Sequence, residues 1–285
     1  MSQVVEDLVK LLTLKENGDN RFIGHSQDLG FSRVFGGQVI GQGLSAASQT
    51  VSDRHPHSLH AYFLRPGDAH HPIDYEVEHV RDGKSFSVRR VIASQFGKTI
   101  LAMTASFQIE EQGVSHQEVM PNVPGPENFD STVELFRQHA DEIPEKVRDQ
   151  FTAERPIEYR IVENQNPFRP RHGIGRRHMW IRSVAPLPDD LKIHQYMLAY
   201  TSDWGFLETA LMPHGLSLGT RNLDIASLDH AIWFHRPFRL DDWLLFVADS
   251  PSASGCRGFV RGQIFNRAGE LIASTTQEGL VRHHG

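Results

Sequence analysis

One stretch of this chain occurs twice, and that recurrence restricts the fold more than any other feature. Residues 57–66 read HSLHAYFLRP, and residues 224–237 read DIASLDHAIWFHRP. Advancing the first by 171 positions places Phe63 on Phe234, Arg65 on Arg236, Pro66 on Pro237 and the aromatic Tyr62 on Trp233. Kept without gaps, the offset also brings Arg90 to Arg261, Ala102 to Ala273 and Thr104 to Thr275. These matches are collinear and fall in segments of one predicted type, which points to one supersecondary unit used twice. Ile232, Trp233 and Phe234 predict a strand, and Arg236-Pro237 ends it.

In both copies a helical segment comes first and a run of strands follows. Over residues 36–51, Ile40, Leu44, Ala47 and Val51 recur at helical spacing. Gly37, Gly41 and Ala46 are small, so this helix is expected to lie close against a sheet, which must supply the stability its glycines withhold. Strands are predicted at 57–64, 73–80, 85–95 and 99–109, with Ile73, Tyr75, Val77 and His79 on one face of the second. The second copy predicts a helix over 191–211, then strands at 226–235, 243–250, 257–266 and 271–282, with a hairpin turn at 266–269. No helices separate the strands, so a parallel doubly wound sheet is disfavoured and an α+β fold with antiparallel sheets is expected. Residues 110–188 are rich in proline, with short helices at 132–139 and 144–153 and strands at 157–162 and 177–184. The expected division is a first unit over 1–110, a linker over 111–156 and a second unit over 157–285. Val5, Leu8, Leu11 and Leu12 mark a short amphipathic helix at the start.

The net charge of -6, with both signs interspersed, argues against a broad nucleic-acid surface. Cys256 is the only cysteine, which excludes an intrachain disulfide and a cysteine-based zinc site and suits a reducing compartment. In a strand it is expected to serve packing. No apolar run approaches the ~20 residues needed to cross a bilayer, and the first residues lack a signal peptide's basic start, so a cytoplasmic protein is expected. His55, His57, His60, His70 and His71 match no zinc spacing, and no metal is expected. Residues 215–219, GLSLG, match the nucleophile-elbow pattern around Ser217, but that motif needs a strand before it and a helix after it. Residues 41–46 match a dinucleotide fingerprint loosely, without the βαβ unit it requires.

Several segments together carry a resemblance over nearly the whole chain. They are VFGGQ at 34–38, YFLRPG at 62–67, RDG at 81–83, AYxSD at 199–203, LDHxxWFHRP at 228–237, SAS at 252–254 and QEG at 277–279. In these the chain resembles the acyl-CoA thioesterase II family. The resemblance implies a double hot-dog fold, two tandem units each with a long helix wrapped by an antiparallel sheet. It implies hydrolysis of acyl-CoA thioesters without a cofactor, and a homo-oligomer, a dimer or a dimer of dimers.

It also implies a catalytic Asp, Thr or Ser, and Gln, which fall here on Asp203, Ser227 and Gln277. The family usually carries threonine at the position of Ser227; serine keeps the hydroxyl and loosens its rotamer. Thioester hydrolysis needs an activated water and a stabilised oxyanion, which suits these types. A backbone N–H near a helix start, around Gly36-Gly37 or its counterpart in the second half, is the expected donor to the thioester carbonyl. Taken alone, Asp203 would be a helix cap before Trp204 and Gln277 a polar strand end. Under the 171-residue offset Gln277 falls on Ser106 and Ser227 on Pro56, while Asp203 falls near residues 32–37, which lack an acid. One working site per chain is therefore expected. The sequence leaves two other classes open: a non-catalytic acyl-CoA-binding hot-dog protein, and a serine esterase using Ser217.

Overall fold

A computed structural model describes residues 2–30, 32–163, 172–217 and 219–284. The first half runs α1 (Gln3–Leu12), β1 (Lys15–Glu16), β2 (Arg21–Gly24), α2 (Gly36–Gln49), β3 (His55–Phe63), β4 (Ile73–Asp82), β5 (Phe86–Gln95) and β6 (Lys98–Gln108). The connection carries α3 (Thr132–Gln138) and α4 (Glu145–Thr152). The second half runs β7 (Ile157–Ile161), β8 (Arg176–Ser183), α5 (Leu191–Ser202), β9 (Leu223–Ser227), β10 (Asp229–Phe234), β11 (Leu244–Ser254), β12 (Arg257–Asn266) and β13 (Leu271–His283).

Its strands form one antiparallel sheet in the order β1-β2-β4-β5-β6-β3-β10-β13-β12-β11-β8-β7, with β9 also on β13. The halves join where β3 pairs with β10, and His60 lies opposite Ala231. Those two residues are 171 positions apart, so the repeat meets itself there and a local two-fold relates the halves. The sheet wraps α2 and α5, whose residues are buried from Gly37 to Ser48 and from His194 to Ser202. This is the expected α+β architecture, a helix wrapped by an antiparallel sheet, twice.

The glycines of α2 serve a contact the sequence does not announce. A Cβ on Gly37 would drive into the Tyr200 carbonyl, and one on Gly41 would sit 3.1 Å from the Tyr196 carbonyl. Residues 37 and 41 thus face 200 and 196, so the two helices run antiparallel at glycine-only separation. Gly43 lies against the sheet, beside Met103 and Val91. The polar residues of α2 bind the start of the chain. Gln42 Nε2 donates to the carbonyls of Leu11 (2.7 Å) and His25 (2.8 Å), and its Oε1 accepts from the Tyr75 hydroxyl at 2.7 Å.

The repeated arginines are accounted for by the fold. Arg90 pairs with Glu78 across β4 and β5, and Arg261 pairs with Asp249 at 2.7 Å across β11 and β12. Arg65 and Arg236 each donate to a carbonyl where the closing hairpin begins, Thr99 at 2.8 Å and Leu271 at 2.7 Å.

Five expectations need correction. The helix over 191–211 stops at Ser202; single turns of tighter helix follow, and Gly205 takes a left-handed φ of 63° that glycine adopts without strain. The strand over 226–235 is broken at Leu228, whose N–H and carbonyl bond to Glu278 and Phe63. His79 is exposed, because the buried alternation of β4 ends at Val77. Cys256 is exposed in the β11–β12 turn with φ 59°, so it does not pack a strand. The ungapped offset also fails beyond residue 266. The first hairpin needs two residues between Gln95 and Lys98. The second needs one more, since the bond from the Asn266 N–H runs to the Glu270 carbonyl. Arg90 therefore opposes Thr104, whereas Arg261 opposes Thr276.

Candidate active site

Asp203 is the residue at which α5 ends. A carboxylate there faces the negative end of its own helix, an unfavourable place unless other donors hold it. They come from the other half. The Gly37 N–H, in the first turn of α2, donates to it, and a Cβ on Gly36 would lie 2.7 Å from Asp203 Oδ2. At the start of α2 the Gly37 N–H is thus given to Asp203. The antiparallel helix pair thus places the positive end of one helix against the acid at the end of the other.

The break at Leu228 brings up the remaining groups. Asp229 Oδ1 accepts the Glu278 N–H at 2.7 Å. That bond anchors β10 beside β13 on one side of the kink, while Ser227 remains opposite Gly279 on the other. Ser227 Oγ then lies 3.4 Å from Asp203 Oδ1, and Gln277 Nε2 donates to Ser227 Oγ at 2.6 Å. Asp203, Ser227 and Gln277 are therefore in one hydrogen-bonded line. Ser227 is partly exposed, while Gln277 and Asp203 are buried.

A fourth member, His230, is buried in the same line. Its Nδ1 lies 2.8 Å from Gln277 Oε1, which can only accept, so Nδ1 carries the proton. Nε2 is 2.9 Å from Ser202 Oγ and 3.2 Å from Thr275 Oγ1. Held this way, the Gln277 amide must turn its NH2 to Ser227. Burial pushes the Asp203 carboxyl above its ordinary range, opposed by His230, Gln277, the Gly37 N–H and Ser227. Burial likewise pushes the His230 imidazole below its ordinary value, opposed by Asp203 and Gln277. His230 stands inside the quoted segment 228–237, yet a histidine in an apolar strand reveals nothing until the register sets it beside Gln277.

The corresponding place in the first half is built differently. Val260 opposes Gln277 and Arg89 opposes Ala105, so Gln277 corresponds to Ala105 rather than to Ser106. Thr50, at the end of α2, stands where Asp203 stands at the end of α5. Buried Arg89 fills the space, donating to Thr50 Oγ1 at 2.9 Å and pairing with Asp82 at 2.8 Å. Ser217 lies in a loop after a single helical turn, with its N–H on Thr220 Oγ1, so the strand that a nucleophile elbow requires does not precede it.

Fold and site together define a class: a double hot-dog protein with a buried carboxylate, a hydroxyl and an amide converging where its two central helices meet. Known proteins narrow the class. A family model described as acyl-CoA thioesterase matches residues 146–280, and another described as acyl-CoA thioesterase N-terminal domain matches residues 25–108. Acyl-CoA thioesterase 2 of Haemophilus influenzae is 46% identical over 283 residues, 99% of each chain. Acyl-coenzyme A thioesterase 8 of Homo sapiens is 39% identical, covering 95% of this chain and 88% of its own. Among solved structures, an acyl-CoA thioesterase II from Mycobacterium marinum has a TM-score of 0.79 at 40% identity, covering 98% and 99% of the two chains. A protein with a hot dog fold from Alicyclobacillus acidocaldarius, 22% identical, has a TM-score of 0.77 over 98% and 99%, a likeness of fold alone. The chain belongs to the acyl-CoA thioesterase family.

Proposed function

We propose that this acyl-CoA thioesterase cleaves its substrate with a water held by Asp203, Ser227 and Gln277, without a covalent intermediate. The observation that carries the reading is the hydrogen-bonded line from Asp203 through Ser227 to Gln277, composed of the residue types that the family resemblance names. Asp203 is the general base. It takes a proton from the water as the water oxygen attacks the thioester carbonyl. Its raised pKa makes it a stronger base than an exposed carboxylate. Ser227 and Gln277 fix the water, and His230 fixes Gln277. Collapse of the tetrahedral intermediate expels the coenzyme A thiolate, which is protonated in turn, and frees the fatty acid.

Each chain works with one site, and the first half serves as scaffold; the two units lie at 1–110 and 157–285. A homo-oligomer in the cytoplasm remains our reading from the family resemblance and the lone cysteine. Among the described residues no helix is long and apolar enough to cross a membrane.

The test is thiol release from a panel of acyl-CoAs, short to long, by wild type and by Asp203→Asn. Release by wild type that collapses in a folded variant supports the site and reports the chain length. Release that survives the substitution would remove Asp203 from the mechanism. Saturable binding without release on any substrate would favour a binding protein.

A further inference from the structure

Trp204, next to Asp203 in the chain, lines a cavity of about 190 Å3. Arg155, Tyr159 and Tyr200 line it too, with Gln27 and Leu29 from the first half. Trp204 follows Asp203 in the chain and joins cavity to site. Tyr159 stacks on its ring at 5.9 Å between centroids, Phe35 meets it edge-on at 5.6 Å, and Arg155 Cζ lies 4.8 Å from its centroid.

Arg155 has few partners for a half-buried cation. A guanidinium offers five N–H donors. Nη2 donates to the Gln150 carbonyl at 3.1 Å, and Nε is buried with no partner among the described residues. The ionisable groups acting on it are the phenols of Tyr159 and Tyr200, while burial presses its pKa down. Arg89, Arg160 and Arg177, by contrast, each face a carboxylate. Two acids stand on the cavity rim. Asp28 is held by the N–H groups of Gly30 (2.7 Å) and Ser32 (3.1 Å) and faces His70, and Glu154 is exposed. A larger hollow at the other end of α5, about 810 Å3, offers no such cation. There Arg239 is paired with Asp189 and Asp241, Arg182 with Glu158, and Arg267 with Glu127.

A cation held off water without a counter-charge is costly, and the cost is relieved by an anion that its free N–H groups can reach. The indole face keeps the guanidinium flat and oriented for such a ligand. We propose that this cavity is an anion subsite in which Arg155, stacked on Trp204, binds a phosphate group of the coenzyme A portion of the substrate. The proposal rests on the reading of the chain as an acyl-CoA hydrolase. It adds the residue that anchors the non-reacting end of the thiol leaving group.

The experiment is calorimetric binding of coenzyme A, dephospho-coenzyme A and pantetheine to the full-length protein, as wild type, Arg155→Met and Arg155→Lys. Folding is checked by thermal melting. Wild type is expected to bind coenzyme A more tightly than pantetheine. Arg155→Met should weaken coenzyme A by about tenfold or more, leave pantetheine unchanged, and be partly rescued by lysine. Loss confined to coenzyme A assigns the 3′-phosphate, and loss shared with dephospho-coenzyme A assigns the diphosphate. Should the methionine variant fail to fold, Arg155→Gln, which keeps an uncharged N–H donor near the place of the buried Nε, makes the same comparison. Unchanged coenzyme A affinity in a folded variant, or an equal loss for pantetheine, overturns the proposal. Binding is measured without turnover, so the two readings fail separately. Arg155-dependent binding with no thiol release sinks only hydrolysis, and hydrolysis with Arg155-independent binding sinks only the subsite.

Discussion

At the scale of single residues, the site sets an acid and a base against burial, and the consequences have opposite signs. The folded state raises the pKa of Asp203, so below that pKa the folded protein binds a proton that the unfolded chain has released. Stability therefore falls as pH rises from the ordinary carboxylate value through the folded one, and the cost is fully present above it. Asp203→Asn should lower kcat about a thousandfold, the middle of the range for a general base. It should also stabilise the protein at neutral pH by ~1 kcal/mol, as is common when a strained functional group is removed. Thermal melting against pH checks this: the gain should vanish at strongly acid pH, and a variant less stable than wild type at pH 7 would count against the buried charge. In wild type the acid limb of kcat/KM should lie above the ordinary carboxylate pKa. His230 works the other way. Its pKa is depressed, so its contribution to stability is lost as pH falls from 6.5 through the folded value. His230→Leu leaves the Gln277 oxygen without its partner, at about 2 kcal/mol in stability, while the Ser202 hydroxyl keeps the Ala199 carbonyl. It should reduce kcat with KM nearly unchanged, because what it frees is the Gln277 amide; a KM effect alone would place His230 in substrate binding.

At the scale of elements, the site exists because two helices approach at glycine distance. Gly37→Ala should destabilise by about 3 kcal/mol, the upper range for overpacking, because its new methyl meets main chain that cannot swing away. Gly41→Ala should cost less, since its nearest contacts are a Leu12 methyl at 3.0 Å and a carbonyl at 3.1 Å. Urea unfolding of both variants tests the order, and equal losses would mean that the helices part easily. Most of the elements were legible in the sequence, since alternation and turn residues mark strands locally. The misreadings arose where distant contacts overrule local pattern. Apolar residues continue past Ser202 as Phe206, Leu207 and Leu211, so the apolar pattern does not end α5; the left-handed turn at Gly205 follows it, with the Gly205 carbonyl held by Arg177 at 2.9 Å. β1 and β2 were missed because the buried amides of α2 organise the chain around them. The convergence of Asp203, Ser227 and Gln277 on three separate elements was named by resemblance rather than by spacing. His230 needed the strand register.

At the scale of the molecule, the chain is two related units folded as one sheet about the His60–Ala231 pairing, and fusion lets the halves differ where a symmetric dimer could not. The second half carries Asp203, Ser227 and Gln277. The corresponding places in the first half hold Thr50, Pro56 and Ala105, and Arg89 occupies the space between them. The first half contributes to the site all the same, because the Gly37 N–H that holds Asp203 is its own. On the proposed reading the site draws on both units, and the two together make one. Calorimetric titration with a non-hydrolysable acyl-CoA thioether should therefore give one ligand per chain in any oligomer, and Asp203→Asn should bind it at the same ratio. A ratio of two would mean that the Arg89-filled half also takes substrate, and Arg89→Met would then be expected to remove one of the two. With one per chain, Arg89→Met should cost stability and leave the ratio untouched, as expected of a buried cation that plugs the vacant half.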